Sequence, residues 1–291
     1  MERAKRAVHV LANSSEADLS SRCHPTTDAT ATAPPLDEQW SVQQVLTTLP
    51  FPPPANPTTP IPFFHILERL KTTPREGWRR FSIPSSESIS DHMYRMSILT
   101  LLCPGPLRQK LDIPRCTVLA LCHDMAESLV GDITPLDGVK KAEKRRREGD
   151  TMDYLTRQLL GGKTGCEEGG TLLREAWEEY EESVTLEAKF VHDIDKLELV
   201  IQMMEYERRG NGKVDLGEFL RVAEKIEMDE MKGWCREILR EREDYWKGVG
   251  REPGKPDIAK TMLGQGGEEV EVDGKMAEKE EGGKMDDSSK G

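Results

Sequence analysis

Apolar residues recur at helical spacing through the middle of the chain. In the segment 186–208, apolar side chains stand three or four residues apart and share one helix face (Phe190, Ile194, Leu197, Ile201 and Met204). No segment alternates apolar and polar residues as a half-buried strand would. The pattern therefore predicts an all-α fold, with helices over 61–71, 88–102, 116–129, 139–160 (interrupted near Gly149), 172–184, 186–208, 216–226 and 230–246.

The two ends of the chain lack this pattern. Nine of the 18 prolines fall in residues 1–60, which predicts a disordered Pro- and Thr-rich arm. Residues 248–291 carry ten glycines among mixed charges, which predicts a second disordered tail. One folded domain is therefore expected over 61–247, and the unfolded ends account for an apolar share of only 36%.

The charge balance excludes some classes of partner. The chain has 53 acidic and 41 basic residues and a formal net charge of −12, so a nucleic-acid polymer or an anionic membrane surface is a disfavoured partner. A small anionic substrate remains compatible with a locally positive pocket. No apolar run approaches the roughly 20 residues that span a bilayer. The six cysteines form no CxxC pair, which indicates reduced thiols and a cytoplasmic or nuclear location.

Four groups able to bind metal or transfer protons lie within ten residues in the segment LALCHDMAESLVGD. Glu127 follows His123 by four residues and Asp124 by three, so a continuous helix would project all three to one side. Gly131 is expected to end that helix and to leave Asp132 in the loop beyond. The spacing predicts a metal or acid–base site, with a solvated polar face as the alternative.

Two further segments offer candidate ligands. His92 lies on the helix that begins near Ser88, 31 residues before His123. In FVHDIDKLEL, Asp193 and Asp195 flank the apolar stripe on opposite sides, and periodicity does not choose between them.

Three segments together, ESISDHMYRMSILTLL, LALCHDMAESLVGDITPLD and EAKFVHDIDKLELVIQMMEYE, resemble the HD-domain phosphohydrolases, and within them the 5'-deoxynucleotidases. The resemblance covers residues 61–247 and implies an HD-domain helical bundle. It implies a metal site made of His92, His123, Asp124 and Asp195, and leaves Asp193 out. It also implies catalytic roles for Glu127 and Asp132, which would help to hold a second ion. Two imidazoles and two carboxylates suit Mn²⁺, Co²⁺ or Mg²⁺.

The activity that the resemblance implies is removal of the 5'-phosphate from deoxyribonucleoside monophosphates, by an enzyme that is usually a homodimer. An arginine beside a tryptophan would bind the phosphate and the sugar. Bacterial members have the two adjacent, whereas here Arg75 precedes Trp78 by three residues and Arg79 follows it, so Arg75 is preferred and Arg79 is the alternative. The rival functions are another HD-domain hydrolase, acting on cyclic nucleotides or guanosine polyphosphates, and a non-catalytic nucleotide-binding scaffold.

Overall fold

A computed structural model of the chain describes residues 40–252, so most of both predicted tails lies outside the described residues. Contacts divide the chain into residues 1–40 and 41–291, and all the helices below belong to the second unit. The helices are α1 Val42–Thr48, α2 Ile61–Thr72, α3 Glu76–Arg80, α4 Ile89–Leu101, α5 Gly105–Arg108, α6 Ile113–Cys122, α7 Glu127–Val130, α8 Lys141–Asp153, α9 Glu167–Glu182, α10 Leu186–Arg209 and α11 Asp229–Val249. Short 3-10 helices span Pro135–Asp137 and Gly217–Lys225, and a π-helical turn spans Tyr154–Leu159. The all-α prediction is confirmed, since the only strand-like pairing among residues 40–252 is an isolated bridge between Pro74 and Ser88.

Helix α10 is the centre of the bundle. It packs against α4, α6, α9 and α11, and its predicted apolar stripe lies in the core, with Phe190, Ile194 and Leu197 fully buried. Burying each such side chain contributes roughly 1.5–3 kcal/mol, which holds the helix in one rotational setting. The polar positions between these residues are thereby also fixed, including the one occupied by Asp195.

A buried carboxylate fixes α10 against the chain that enters α11. Asp193 is fully buried and accepts hydrogen bonds from the backbone N–H groups of Glu227 at 3.0 Å and Met228 at 2.7 Å. These donors lie at the start of a helix, where backbone N–H groups lack partners within the helix. Asp193 therefore has a packing role.

The helix predicted over 116–129 is wrong as a continuous element. Helix α6 ends at Cys122, and residues 123–126 form tight turns before α7 begins at Glu127. The His123 ring provides the physical reason, because its Nδ1 lies 3.0 Å from the Ala120 carbonyl oxygen. In a continuing helix that carbonyl would accept the N–H of Asp124. The ring competes for it, which turns the chain at the point where the candidate ligands lie.

Two other sequence expectations differ from the structure. Residues 42–48, placed in the disordered arm, form α1, whose N-terminus carries a reciprocal capping box between Ser41 and Gln44. Helix α8 continues through Gly149 without interruption, because the position lies against Trp177 and a single helical glycine costs only about 1 kcal/mol. No helix within residues 40–252 combines the length and the apolar character needed to cross a bilayer.

Candidate metal centre

Two histidine rings meet at the centre of the bundle. His92 lies on the first turns of α4, which begins at a capping box formed by Ser88 and Asp91. His123 lies at the end of α6, the helix that packs closely against α4. The ring centroids are 5.4 Å apart, and both residues are buried, with 0% and 5% of their surface exposed.

The Nδ1 atom of each ring is already taken by an acceptor. His92 Nδ1 lies 2.6 Å from a carboxylate oxygen of Glu198, and His123 Nδ1 lies 3.0 Å from the carbonyl oxygen of Ala120. Neither acceptor carries a hydrogen to donate, so when the ring is neutral its hydrogen is on Nδ1 and its Nε2 has a lone pair to offer a metal. Both Nε2 atoms are buried without a hydrogen-bond partner. An unsatisfied buried polar atom is costly, and two facing one another are typical of a metal site.

Two carboxylates complete this cluster. His123 Nε2 lies 3.1 Å from Asp124 Oδ2, and His92 Nε2 lies 3.9 Å from the same oxygen and 3.2 Å from Asp195 Oδ1. The second oxygen of Asp195 accepts a hydrogen bond from the Tyr180 hydroxyl at 3.3 Å. The structure thus brings together all four predicted ligands, from α4, the α6–α7 turn and α10.

The electrostatics of the cluster suit a cation. Burial tends to raise the pKa of Asp124, but neighbouring His123 and Arg75 hold that pKa well below its usual value. Burial also tends to raise the pKa of Asp195, but the neighbouring His92, His123 and Arg75 lower it. Two ionised carboxylates beside two imidazole lone pairs form a nitrogen and oxygen donor set that fits a divalent ion.

The two predicted catalytic acids lie on the next stretch of chain. Glu127 is 2% exposed, and its Oε2 has no hydrogen-bond partner, while Lys144 Nζ lies 3.9 Å from its Oε1. Burial, together with the charges of Asp124 and Asp132, raises the pKa of Glu127 well above its usual value. Asp132 accepts the backbone N–H of Glu76 at 2.7 Å, which ties the loop after α7 to the start of α3.

Of the two candidate arginines, Arg75 reaches the cluster. It donates to Asp124 Oδ2 at 3.0 Å, and its side chain is 16% exposed. Burial tends to lower the pKa of Arg75, but the surrounding carboxylates raise it, so the guanidinium stays charged. Arg79 instead pairs with Glu76 on the surface, with 63% of its side chain exposed.

Trp78 lies in the core and not on the wall of an open site. It is 2% exposed, packs against the rings of Tyr206 and Phe219, and donates its indole N–H to Glu87 at 3.0 Å. Because so little of the Trp78 ring is exposed, the structure does not support the predicted contact of this ring with a sugar. Trp78 anchors α3 and so places Arg75 at its N-terminus.

Three residues beside the cluster have no role that the sequence predicts, namely Tyr180, Lys144 and Glu198. Tyr180 packs its ring between His123, at 5.0 Å, and His192, at 4.0 Å, as well as donating to Asp195. Lys144 Nζ donates to the carbonyl of Ile133, next to Asp132. Of the three, only Glu198 can be linked to the site from the sequence, because it follows Asp195 by three residues and so lies on the same face of α10.

Comparisons with known proteins agree with this geometry. The model of the HD domain family matches residues 67–234. The chain is 49% identical over 189 residues to 5'-deoxynucleotidase hdd1 of Schizosaccharomyces pombe, a match that covers 65% of this chain and 93% of that protein. It is 41% identical over 191 residues to 5'-deoxynucleotidase YGK1 of Saccharomyces cerevisiae, covering 66% and 86% of the two chains.

A solved structure is also similar. HD domain-containing protein YGK1 superposes with a TM-score of 0.50 and 32% sequence identity, over 71% of this chain and 94% of that one. Residues 67–234, which the family model matches, contain the four converging ligands and both acids. The chain therefore belongs to the HD domain family, in the group whose curated members are named 5'-deoxynucleotidases.

Proposed function

We propose that this protein is a divalent-metal-dependent 5'-deoxynucleotidase, which hydrolyses deoxyribonucleoside 5'-monophosphates to deoxyribonucleosides and phosphate. The observation that carries the proposal is the pair of buried, unpartnered Nε2 atoms of His92 and His123 beside two carboxylates. This cluster occurs in a chain that covers 93% of a relative named 5'-deoxynucleotidase.

The metal ligands are His92, His123, Asp124 and Asp195, and their donor set suits Mn²⁺, Co²⁺ or Mg²⁺. A bound ion of this kind makes water acidic enough to supply hydroxide near neutral pH and polarises a phosphoryl oxygen. Glu127 and Asp132 are near enough in sequence and space to assist a second ion.

Arg75 binds the phosphate group of the substrate. Asp124 accepts one N–H of its guanidinium, and the planar fork has five, so donors remain for two phosphate oxygens. The bond with Asp124 also fixes the guanidinium beside the metal ligands, where it would hold the phosphate close to a bound ion.

The two acids divide the proton transfers between them. Burial and the charges of Asp124 and Asp132 raise the pKa of Glu127, which favours this residue as the acid that protonates the 5'-oxygen as the bond between phosphorus and that oxygen breaks. Asp132 takes the proton of the attacking water. Lys144, close to both Glu127 and the Asp132 loop, keeps this pair of carboxyl groups in place.

The proposed enzyme acts as a homodimer in the cytoplasm, with the nucleus as the alternative location. An exposed apolar stripe along α4 supports the dimer (Tyr94, Ile98, Leu101 and Leu102). The location is supported by the cysteines of the described residues, which are all free thiols. Light scattering after size exclusion tests the dimer, and imaging of the tagged protein tests the location.

The activity is tested by measuring phosphate release from dAMP, dGMP and dCMP and from the matching ribonucleotides. The protein is stripped of metal and then supplied with Mn²⁺, Co²⁺ or Mg²⁺, and Asp124→Asn protein purified in the same way controls for contaminating phosphatases. We expect release from the deoxynucleotides to be at least tenfold faster. No release with any of the three ions refutes the proposal, and hydrolysis confined to cyclic nucleotides or guanosine polyphosphates favours the rival enzyme classes.

A further inference from the structure

Behind His92, on the side away from the metal cluster, a chain of charged groups runs from the core to the surface. Glu198 Oε2 is 2.6 Å from His92 Nδ1, and Glu198 Oε1 accepts a hydrogen bond from Arg95 Nε at 2.7 Å. Glu198 is fully buried. Arg95 reaches outward to the surface, where it donates to both carboxylate oxygens of Glu205 at 2.8 and 2.9 Å.

The position of Glu198 on α10 links it to the cluster a second time. Asp195 and Glu198 are three residues apart on one helix face, so the same turn supplies a metal ligand and the partner of another ligand. Any rotation of α10 would disturb both contacts together. The fully buried Phe190, Ile194 and Leu197 of α10 prevent such a rotation.

Because Glu198 is a carboxylate, its contact with His92 determines which nitrogen of the neutral ring carries the hydrogen. An ionised carboxylate only accepts hydrogen bonds, so Glu198 keeps the ring hydrogen of His92 on Nδ1 and leaves the lone pair on Nε2. Arg95 makes this possible, because a buried carboxylate without a charged partner would be strongly destabilising. Such outer partners typically change metal affinity by about 10- to 100-fold when removed.

We propose that Glu198 and Arg95 are positioning residues that hold His92 in its metal-binding tautomer and orientation, without touching the substrate. The proposal rests on the metal site of the proposed function, but not on the identity of the substrate. Its consequence is that metal affinity depends on two residues of which neither is a ligand.

The test is calorimetric titration of Mn²⁺ into metal-stripped protein, in the absence of nucleotide. His92 and Arg95 contact different oxygens of Glu198, and in Glu198→Gln one of these oxygens is replaced by an NH2 group that only donates, so we expect the Kd for Mn²⁺ to rise about 10- to 100-fold. The matched control is Glu205→Gln, which alters the exposed end of the chain, with 43% of the side chain exposed, and should change Kd less than threefold. With saturating Mn²⁺, kcat and KM of Glu198→Gln should return to within threefold of the unmodified protein.

A second readout observes the tautomer itself. In the metal-free protein at pH 10, where most His92 rings are neutral, nitrogen-15 NMR should show the His92 hydrogen on Nδ1, and in Glu198→Gln a mixture of both tautomers. A Kd for Glu198→Gln within threefold of the unmodified value overturns the proposal. If that variant fails to fold, a neutral His92 ring that carries its hydrogen on Nε2 in the unmodified protein overturns the proposal instead. If the Mn²⁺ affinities and the NMR spectra are as expected but the protein releases no phosphate, the proposed function is refuted and the role of Glu198 and Arg95 stands.

Discussion

Raising the pH of the metal-free protein should strengthen metal binding, because a proton occupies the same lone pair as the metal. The pKa of His92 is raised to about 9. Burial and the charge of Arg75 both oppose this, but the neighbouring carboxylates of Asp195 and Glu198 outweigh them. At neutral pH the metal-free His92 is therefore an imidazolium, with a hydrogen on Nε2. A metal ion has to displace that hydrogen.

The size of the effect follows from this pKa. At pH 7, two pH units below about 9, only about one His92 ring in a hundred is unprotonated, so the apparent affinity lies about 100-fold below its limit at high pH. Between pH 6 and pH 8 the Kd should fall about tenfold per pH unit. Each ion bound should release about one proton.

The same proton contributes to the stability of the metal-free protein. Because the pKa of His92 is raised in the folded state, from 6.5 to about 9, its contribution is fully present below pH 6.5 and is lost as the pH rises through 9. The corresponding decrease in the free energy of unfolding is about 3 kcal/mol. Chemical denaturation of the metal-free protein at pH 6 and pH 9 measures it.

Titration calorimetry with Mn²⁺ at pH 6, 7 and 8, in two buffers of different ionisation enthalpy, reports both the Kd and the number of protons released. His65→Gln is the matched control, since His65 is an exposed histidine on α2 and its loss should leave the pH dependence unchanged. A Kd that is the same at pH 6 and pH 8, without proton release, would show that His92 is not protonated when the metal is absent.

Three substitutions give further expected outcomes. Asp124→Asn should lower Mn²⁺ affinity at least tenfold and phosphate release at least 100-fold, because it removes a charged ligand next to both imidazoles; calorimetry and the phosphate assay measure the two losses. Arg75→Met should reduce kcat/KM about 100- to 1,000-fold through loss of a charge-assisted contact, whereas Arg79→Met, on the surface, should stay within twofold. Burial raises the pKa of Glu148 to about 7 against the opposing charge of Lys144, so its ionisation disfavours the folded state increasingly as pH rises from 4.5 to 7. Glu148→Gln should therefore leave the free energy of unfolding unchanged at pH 4 and raise it by about 3 kcal/mol at pH 8, as measured in urea.

The helices that could be predicted from the sequence are those whose apolar stripes are long and regular. Residues 61–71 and 186–208 were predicted as helices and correspond to α2 and α10 within two residues, because helical periodicity is a local property. Periodicity does not report where a side chain competes with the backbone. The helix predicted over 116–129 therefore extended past Cys122, where the His123 ring takes the Ala120 carbonyl.

The four ligands could not be assembled from spacing alone. His92 precedes His123 by 31 residues and Asp195 follows it by 72, and no local rule brings such positions together. The family resemblance supplied the set, and the packing of α4, α6 and α10 explains how it forms. Asp193 and Asp195 illustrate the limit of spacing, since both flank the apolar stripe and periodicity does not show which of them is the ligand. Only the tertiary structure shows Asp193 bonded to the start of α11 and Asp195 facing His92.

Polar residues with packing roles are the hardest to recognise from sequence, and α10 shows why. Glu207 occurs in the charged run EYERR and suggests an exposed acid. It is fully buried, bonded to both Arg242 Nε and the Trp246 indole N–H on α11, 35 and 39 residues later in the chain. Glu198 on the same helix is buried beside Arg95 in a similar way. What distinguishes the two carboxylates is a further neighbour, which is the Trp246 indole at Glu207 and a histidine beside the metal cluster at Glu198. That neighbour makes Glu198 part of the metal site and Glu207 part of the core.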